Sequence, residues 1–106
     1  MTSKHYQWER NERERFIDEC LGGDGNVVDS FIVDKGHKDG IERHDVTDNG
    51  IIVIYNVASK KLVSKLIARP CQIKRYYKST GRRYPKGYKK ILALAERHKI
   101  LGYNDL

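Results

Sequence analysis

Cysteine, signal-like segments and long apolar runs are scarce in this chain, and each shortage excludes a class of protein. The two cysteines, Cys20 and Cys71, cannot form a disulfide framework, and no CxxC pair offers a zinc site, so a reduced cytoplasmic protein is expected. No apolar run exceeds five residues, the length of the run over 51–55, whereas a membrane span needs about 20. The N-terminal sequence has no apolar secretory segment. We therefore expect no association with a membrane.

Acidic residues are also missing from one long segment. None lies between Asp48 and Glu96, although 12 lysines and arginines do. Residues 1–57 hold 7 basic and 12 acidic side chains, a net charge of −5, and residues 58–106 hold 14 and 2, a net charge of +12. A long segment of positive charge on a folded domain attracts polyanions. The expected partner is RNA or another single-stranded nucleic acid, and a solvated basic surface is the alternative.

The apolar patterning predicts a single α+β domain over residues 1–106. An N-terminal helix precedes a four-stranded, mainly antiparallel sheet, and a short basic helix and a C-terminal helix follow it. The predicted elements are a helix over 6–21, strands over 27–35, 41–47, 51–56 and 61–69, a helix from Pro70, and a helix over roughly 86–101. Cys20 is expected to pack in the apolar stripe of the first helix, and Gly102 to end the last one.

A hairpin is predicted where Asn49 and Gly50 separate two strand-like segments. Asn-Gly between strand-forming residues is a strong hairpin signal, because a type I′ turn needs positive φ at both loop positions. With these two residues as the whole loop, His44 pairs with Tyr55 across the hairpin.

Glu42 and His44 occupy alternate positions of one predicted strand and therefore share a face. RNA cleavage without metal needs a base for the 2′-OH, an acid for the 5′-oxygen and a cation for the phosphorane. Histidine serves either proton role near neutral pH, and Arg69 can hold phosphate. His37, in a loop bracketed by glycines, can contribute. The alternatives are a solvent-facing pair and a metal site formed with His37, but the ligands are few, so neither a metal nor a cofactor is expected.

Tyrosines and cations are interleaved over residues 74–90, which contain four tyrosines and eight lysines and arginines. Cations bind phosphate and tyrosines stack on unpaired bases. At least two of these tyrosines are expected to pack in the core instead. The predicted nucleic-acid-binding residues are Lys74, Arg75, Tyr77, Lys78, Arg82, Arg83, Lys86 and Lys89.

Residues 36–77 carry a glycine-flanked histidine, a second histidine on a strand, the tripeptide IYN and the pattern LIARP-Q-I-RYY. This segment resembles the barnase–EndoU–colicin–RelE type ribonuclease-like modules of bacterial polymorphic toxins and prophage proteins. The resemblance implies a helix followed by an antiparallel sheet, and metal-independent cleavage of RNA. It implies as candidate catalytic residues His37, Glu42, His44, Ser64, Arg69 and Tyr76. A 106-residue chain with its own initiator methionine fits a small prophage or mobile-element protein better than a secreted effector.

Three functions remain open at this stage. The first is a metal-independent endoribonuclease, indicated by Glu42 and His44. The second is a non-catalytic nucleic-acid-binding protein that uses the interleaved tyrosines and cations. The third is an interaction module whose basic face binds an acidic protein, such as an inhibitor.

Overall fold

The computed structural model describes residues 10–37 and 39–104, and these form an α+β fold around one antiparallel sheet. The strand order β1-β2-β3-β4 follows the chain. The elements are α1 (Arg10–Cys20), β1 (Val27–Asp34), β2 (Ile41–Thr47), β3 (Ile51–Asn56), β4 (Leu62–Ile67), α2 (Pro70–Thr80) and α3 (Tyr88–Asn104). The predicted fold class is confirmed. Residues 6–9 of the predicted first helix lie outside the described residues.

The sheet separates two apolar clusters because successive residues of a strand point to opposite faces. Ile52 and Ile54 of β3 pack with buried residues of β1, β2, α2 and α3. Ile51 and Val53 point the other way and pack with Ile17 and with Leu21, which directly follows α1. Strand β3 is therefore buried on both faces, as its unbroken apolar run predicts.

The β2–β3 hairpin lies at the predicted place, but its register differs from the prediction by one residue. His44 pairs with Ile54, and Arg43 pairs with Tyr55. Only the last residue of the loop, Gly50, adopts a positive φ, of 73°, so a three-residue loop replaces the two-residue type I′ turn. The prediction that His44 and Tyr55 are neighbours is wrong. A one-residue shift places these two side chains on opposite faces of the sheet.

Asn49 does not act as a type I′ turn residue because its side chain connects three parts of the fold. Its Nδ2 donates to the carbonyl oxygens of Leu21 and Gly23, at 2.9 and 2.8 Å. Its Oδ1 lies 3.0 Å from Nε2 of His98 on α3. The ring of His98 is buried, and burial lowers its pKa, so a neutral imidazole donates to Asn49.

Arginine side chains bind the main chain at both edges of the sheet. At the β4 edge, Nε of Arg13 donates to the carbonyl oxygen of Lys65 at 2.7 Å, and Nη2 donates to Oγ of Ser64 at 2.6 Å. At the β1 edge, Nη1 of Arg82 donates to the carbonyl oxygen of Ser30 at 2.7 Å. These contacts fix α1 to one edge and the α2–α3 loop to the other.

Two details of the helices differ from the predictions. Cys20 is exposed, because α1 presents Ile17 and the following Leu21 to the sheet and Cys20 lies beside that stripe. The backbone of α3 remains helical through Gly102 and ends at Asn104, so Gly102 does not terminate it. Within the described part of the chain, none of the helices is long and apolar enough to cross a bilayer.

Replacing Gly50 with alanine should destabilise the fold by about 2–5 kcal/mol. A Cβ at this position would lie 2.8 Å from the Cα and N atoms of Ala95, so α3 would have to move. Left-handed backbone costs an alanine about 1–2 kcal/mol, and overpacking adds roughly 1–3 kcal/mol. Gly36→Ala is the control, since Gly36 has φ of 83° but nothing within 4 Å of its Cβ position. Urea unfolding should show a clearly larger loss for Gly50→Ala, and equal losses would contradict the steric argument.

Candidate active site

Three polar side chains form a hydrogen-bonded chain on the face of the sheet that α2 covers. Nε2 of His44 lies 2.9 Å from Oε1 of Glu42, and Nδ1 lies 2.5 Å from the hydroxyl oxygen of Tyr76. A carboxylate can only accept, so Nε2–H of the imidazole donates to Glu42. Nδ1 then accepts a hydrogen bond from the hydroxyl of Tyr76. We call these residues the Glu42–His44–Tyr76 chain.

Local structure explains how the three residues meet. The alternation of β2 places Glu42 and His44 on one face, as the sequence predicts. Helix α2 begins at Pro70, and its buried side carries Ile73 and Tyr77, so the adjacent Tyr76 also reaches the sheet. The ring of Tyr76 stacks on that of Phe31, with centroids 5.1 Å apart. His44 is only 6% exposed, so its imidazole is held in a fixed orientation.

The hydroxyl of Tyr76 is kept protonated by its surroundings. Burial raises its pKa, and the negative charge of Glu42 raises it further, while a hydrogen bond with Gln72 acts in the opposite direction. Gln72 lies one helical turn before Tyr76, a spacing that would have allowed it to be predicted as a neighbour of Tyr76. A neutral hydroxyl donates one proton and accepts another, which suits it to pass protons between His44 and a bound molecule.

One cation contacts the Glu42–His44–Tyr76 chain directly. Nζ of Lys35 lies 3.8 Å from Oε1 of Glu42, and half of the lysine side chain is exposed. A second cation, the guanidinium of Arg82, lies 4.4 Å from the ring centroid of Phe31, on which Tyr76 stacks. Sequence reasoning missed Lys35, whose position depends on the β1–β2 register. That register pairs Val33 with Glu42, so Lys35, two residues along, lies diagonally next to Glu42.

The structure does not join the other three predicted catalytic residues to this chain. Arg69 is exposed at the N-cap of α2, and its side chain makes no hydrogen bond or ion pair with a described residue. Ser64 accepts its hydrogen bond from Arg13 of α1. His37 is exposed, and its ring lies against Gly40, where a Cβ would come within 2.9 Å of the imidazole. Among the described residues, only Glu42, His44 and Tyr76 of the predicted set are brought together.

Six of the eight predicted nucleic-acid-binding residues have exposed side chains without an ion pair to a described residue. They lie in α2, in the α2–α3 loop and at the start of α3. We call this set the cationic surface: Lys74, Arg75, Lys78, Arg83, Lys86 and Lys89. Tyr77 is different, because it is buried and its hydroxyl donates to Oδ2 of Asp29 at 2.6 Å. Arg82 is held by Asp29 and by the main chain of Ser30.

The chain was compared with protein-family models, with curated proteins and with solved structures. None of these matches it. In residues 10–37 and 39–104, no group of three or more histidine, cysteine, aspartate or glutamate side chains is placed to hold a metal ion.

The Glu42–His44–Tyr76 chain has the chemistry of a proton relay. A carboxylate that accepts from one imidazole nitrogen fixes the tautomer and stabilises the imidazolium that forms when the other nitrogen takes a proton. Here the second nitrogen faces a hydroxyl, through which a proton can pass in either direction. Lys35 supplies positive charge beside Glu42 at one end of this relay.

Proposed function

We propose that this chain is a metal-independent ribonuclease in which His44 is the acid–base group. The observation that carries the proposal is the pair of hydrogen bonds that fix its imidazole, 2.9 Å to Glu42 and 2.5 Å to Tyr76. Glu42 orients the ring, and Tyr76 connects it to the substrate. The cationic surface supports the same conclusion, because it offers positive charge to the phosphates of a bound strand.

The reaction is a transesterification within the RNA strand. The 2′-OH gives its proton to the hydroxyl oxygen of Tyr76 while the hydroxyl proton of Tyr76 moves to Nδ1 of His44. The 2′-oxygen then bonds to phosphorus, and the bond from phosphorus to the 5′-oxygen breaks. The proton on Nδ1 returns through Tyr76 to the departing 5′-oxygen. The products are a 2′,3′-cyclic phosphate and a 5′-hydroxyl, and His44 and Tyr76 return to the protonation states in which they began.

Lys35, and not Arg69 as expected from the sequence, is the cation that stabilises the phosphorane. Charge develops on the phosphorane oxygens in the transition state, and a nearby cation stabilises it more than the ground state. Lys35 is the cation adjoining Glu42, and its half-exposed side chain can turn toward a phosphate. Arg82 is not available for this role, because Asp29 and the main chain of Ser30 hold its guanidinium.

A non-catalytic nucleic-acid-binding protein is the second candidate. The observation that favours it is the burial of His44, whose two ring nitrogens are both satisfied within the protein. In that case the chain of hydrogen bonds stabilises the fold, and the cationic surface alone carries the function. An acidic inhibitor protein could bind the same surface through charge complementarity.

The proposal predicts EDTA-resistant cleavage of RNA. Purified protein should cut a labelled RNA in EDTA between pH 5 and 8 and leave DNA of the same sequence intact, because the reaction uses the 2′-OH. Mass spectrometry of the fragments should find a 2′,3′-cyclic phosphate or the 3′-phosphate derived from it. Tyr76→Phe, purified in parallel, is the matched control, since it removes one oxygen atom and keeps the stacked ring. Intact RNA, cleavage that stops in EDTA, or equal cleavage by Tyr76→Phe would contradict the proposal.

A further inference from the structure

Tyr84 is the most exposed of the four tyrosines that lie among the cations of residues 74–90. Its side chain is 47% exposed, whereas Tyr77 is 1% exposed. Tyr76 is half-buried in the Glu42–His44–Tyr76 chain, and Tyr88 is half-buried at the start of α3. Tyr84 is therefore the ring of this segment that a molecule from solution can reach most readily.

The ring of Tyr84 is held in place by two other rings. It stacks on Tyr88 with centroids 4.0 Å apart and planes 25° apart, and it contacts Tyr77 at 5.2 Å. A ring fixed in this way loses little conformational freedom when something stacks on it. Since stacking on Tyr88 occupies one face, a flat molecule would stack on the other.

The surroundings of Tyr84 match a single-stranded nucleic acid. Arg83 directly precedes it, Lys86 and Lys89 follow, and all three are exposed without an ion pair to a described residue. Proteins that bind single strands combine such cations, which contact the phosphates, with aromatic rings on which bases stack. A duplex offers its phosphates but keeps its bases stacked inside, so it can use the cations and not the ring.

Tyr84 is also connected to the proposed active site through packed rings. Tyr77 contacts Tyr84 at 5.2 Å and Phe31 at 5.0 Å, and Phe31 stacks with Tyr76 at 5.1 Å. Because Tyr77 and Phe31 are buried, this series of rings fixes the position of Tyr84 relative to His44.

We propose that Tyr84 is a stacking platform for an unpaired nucleobase, flanked by Arg83, Lys86 and Lys89 as phosphate contacts. This inference rests on the proposed function and names its substrate class, single-stranded rather than duplex RNA. A base stacked on Tyr84 would anchor the strand near the Glu42–His44–Tyr76 chain, and a duplex would lack this anchor.

Binding of a 2′-O-methyl oligonucleotide tests the inference separately from catalysis, because this probe has no 2′-OH and cannot be cleaved. Fluorescence anisotropy should show that Tyr84→Ala binds the single-stranded probe about 5- to 150-fold more weakly, the range for losing one base–aromatic stack. Tyr84→Phe should bind like the parent protein, and Tyr84→Leu should bind more weakly than Tyr84→Phe. Binding of the duplex form should change little in all three variants.

Further measurements distinguish a variant that is unfolded, a stacking site that is absent and a protein that does not cleave RNA. Thermal unfolding of each variant shows whether Tyr84→Ala remains folded, and Tyr84→Phe tests the ring without removing its packing on Tyr88. Unchanged binding by Tyr84→Ala, or an equal loss for single strand and duplex, would overturn the stacking site. If the parent protein binds single strands through Tyr84 but leaves unmodified RNA intact, the ribonuclease proposal fails and the stacking site stands.

Discussion

Replacing His44 with glutamine should lower the rate of RNA cleavage by about 10²–10⁴-fold, the usual effect of losing a general acid or base. Glutamine can still donate a hydrogen bond to Glu42, but it cannot take up a proton near neutral pH. Binding of the uncleavable 2′-O-methyl probe should stay close to that of the parent protein, because His44 lies in the relay and not on the cationic surface. Single-turnover kinetics measure the rate, and anisotropy measures the binding.

Two further variants test whether His44, and not His37, is the acid–base group. His44→Ala should be similarly inactive but less stable, because it removes the hydrogen bonds of the imidazole to the Glu42 carboxylate and to the Tyr76 hydroxyl. His37→Ala should keep cleavage within a few-fold of the parent rate, because His37 lies against Gly40 and makes no contact with the relay. Loss of cleavage in His37→Ala together with activity in His44→Gln would reverse the assignment of the acid–base group.

Raising the salt concentration from about 50 to 200 mM should weaken binding of single-stranded RNA by roughly 50-fold if four cations contact phosphates. Each contact releases condensed counterions, so log affinity falls with log salt at a slope of about 0.7 per phosphate. The double variant Arg83→Ala, Lys86→Ala should lower that slope by about 1.4. A salt titration of the 2′-O-methyl probe measures both values.

The matched control for this double variant removes two positive charges that lie away from the cationic surface. Lys60 lines a cavity with Arg43 and Tyr55, and Arg43 lies on the face of the sheet opposite His44. The double variant Lys60→Ala, Lys61→Ala should therefore leave the slope near that of the parent protein. A slope near zero in the parent, or an equal change in both double variants, would contradict a localised binding surface.

The elements could be predicted from the sequence where their signals are local. Strands β2 and β3 have the predicted bounds because strand-forming residues flank Asn49 and Gly50. The register could not be predicted, since it depends on contacts between the Asn49 side chain and segments more than 20 residues away. A loop that looks like a type I′ turn in sequence is a three-residue loop in this tertiary setting.

In the candidate site too, residues placed by local rules could be predicted from the sequence, and residues placed by tertiary contacts could not. Glu42 and His44 could be paired because alternation along a strand is a local rule. Tyr76 came from the resemblance to ribonuclease-like modules, and helix α2 brings it to His44. Lys35 was missed and Arg69 was chosen because the position of a cation depends on strand register and helix orientation. Catalysis itself stays a prediction.

The arginines at the two edges of the sheet have a consequence for association between proteins. An edge strand presents unpaired main-chain groups on which another strand can pair, and this is a common route to aggregation. The guanidinium groups of Arg13 and Arg82 occupy carbonyl oxygens of β4 and β1. A peptide that added itself as a fifth strand would have to displace one of them. The fold thus discourages partners that bind by strand addition.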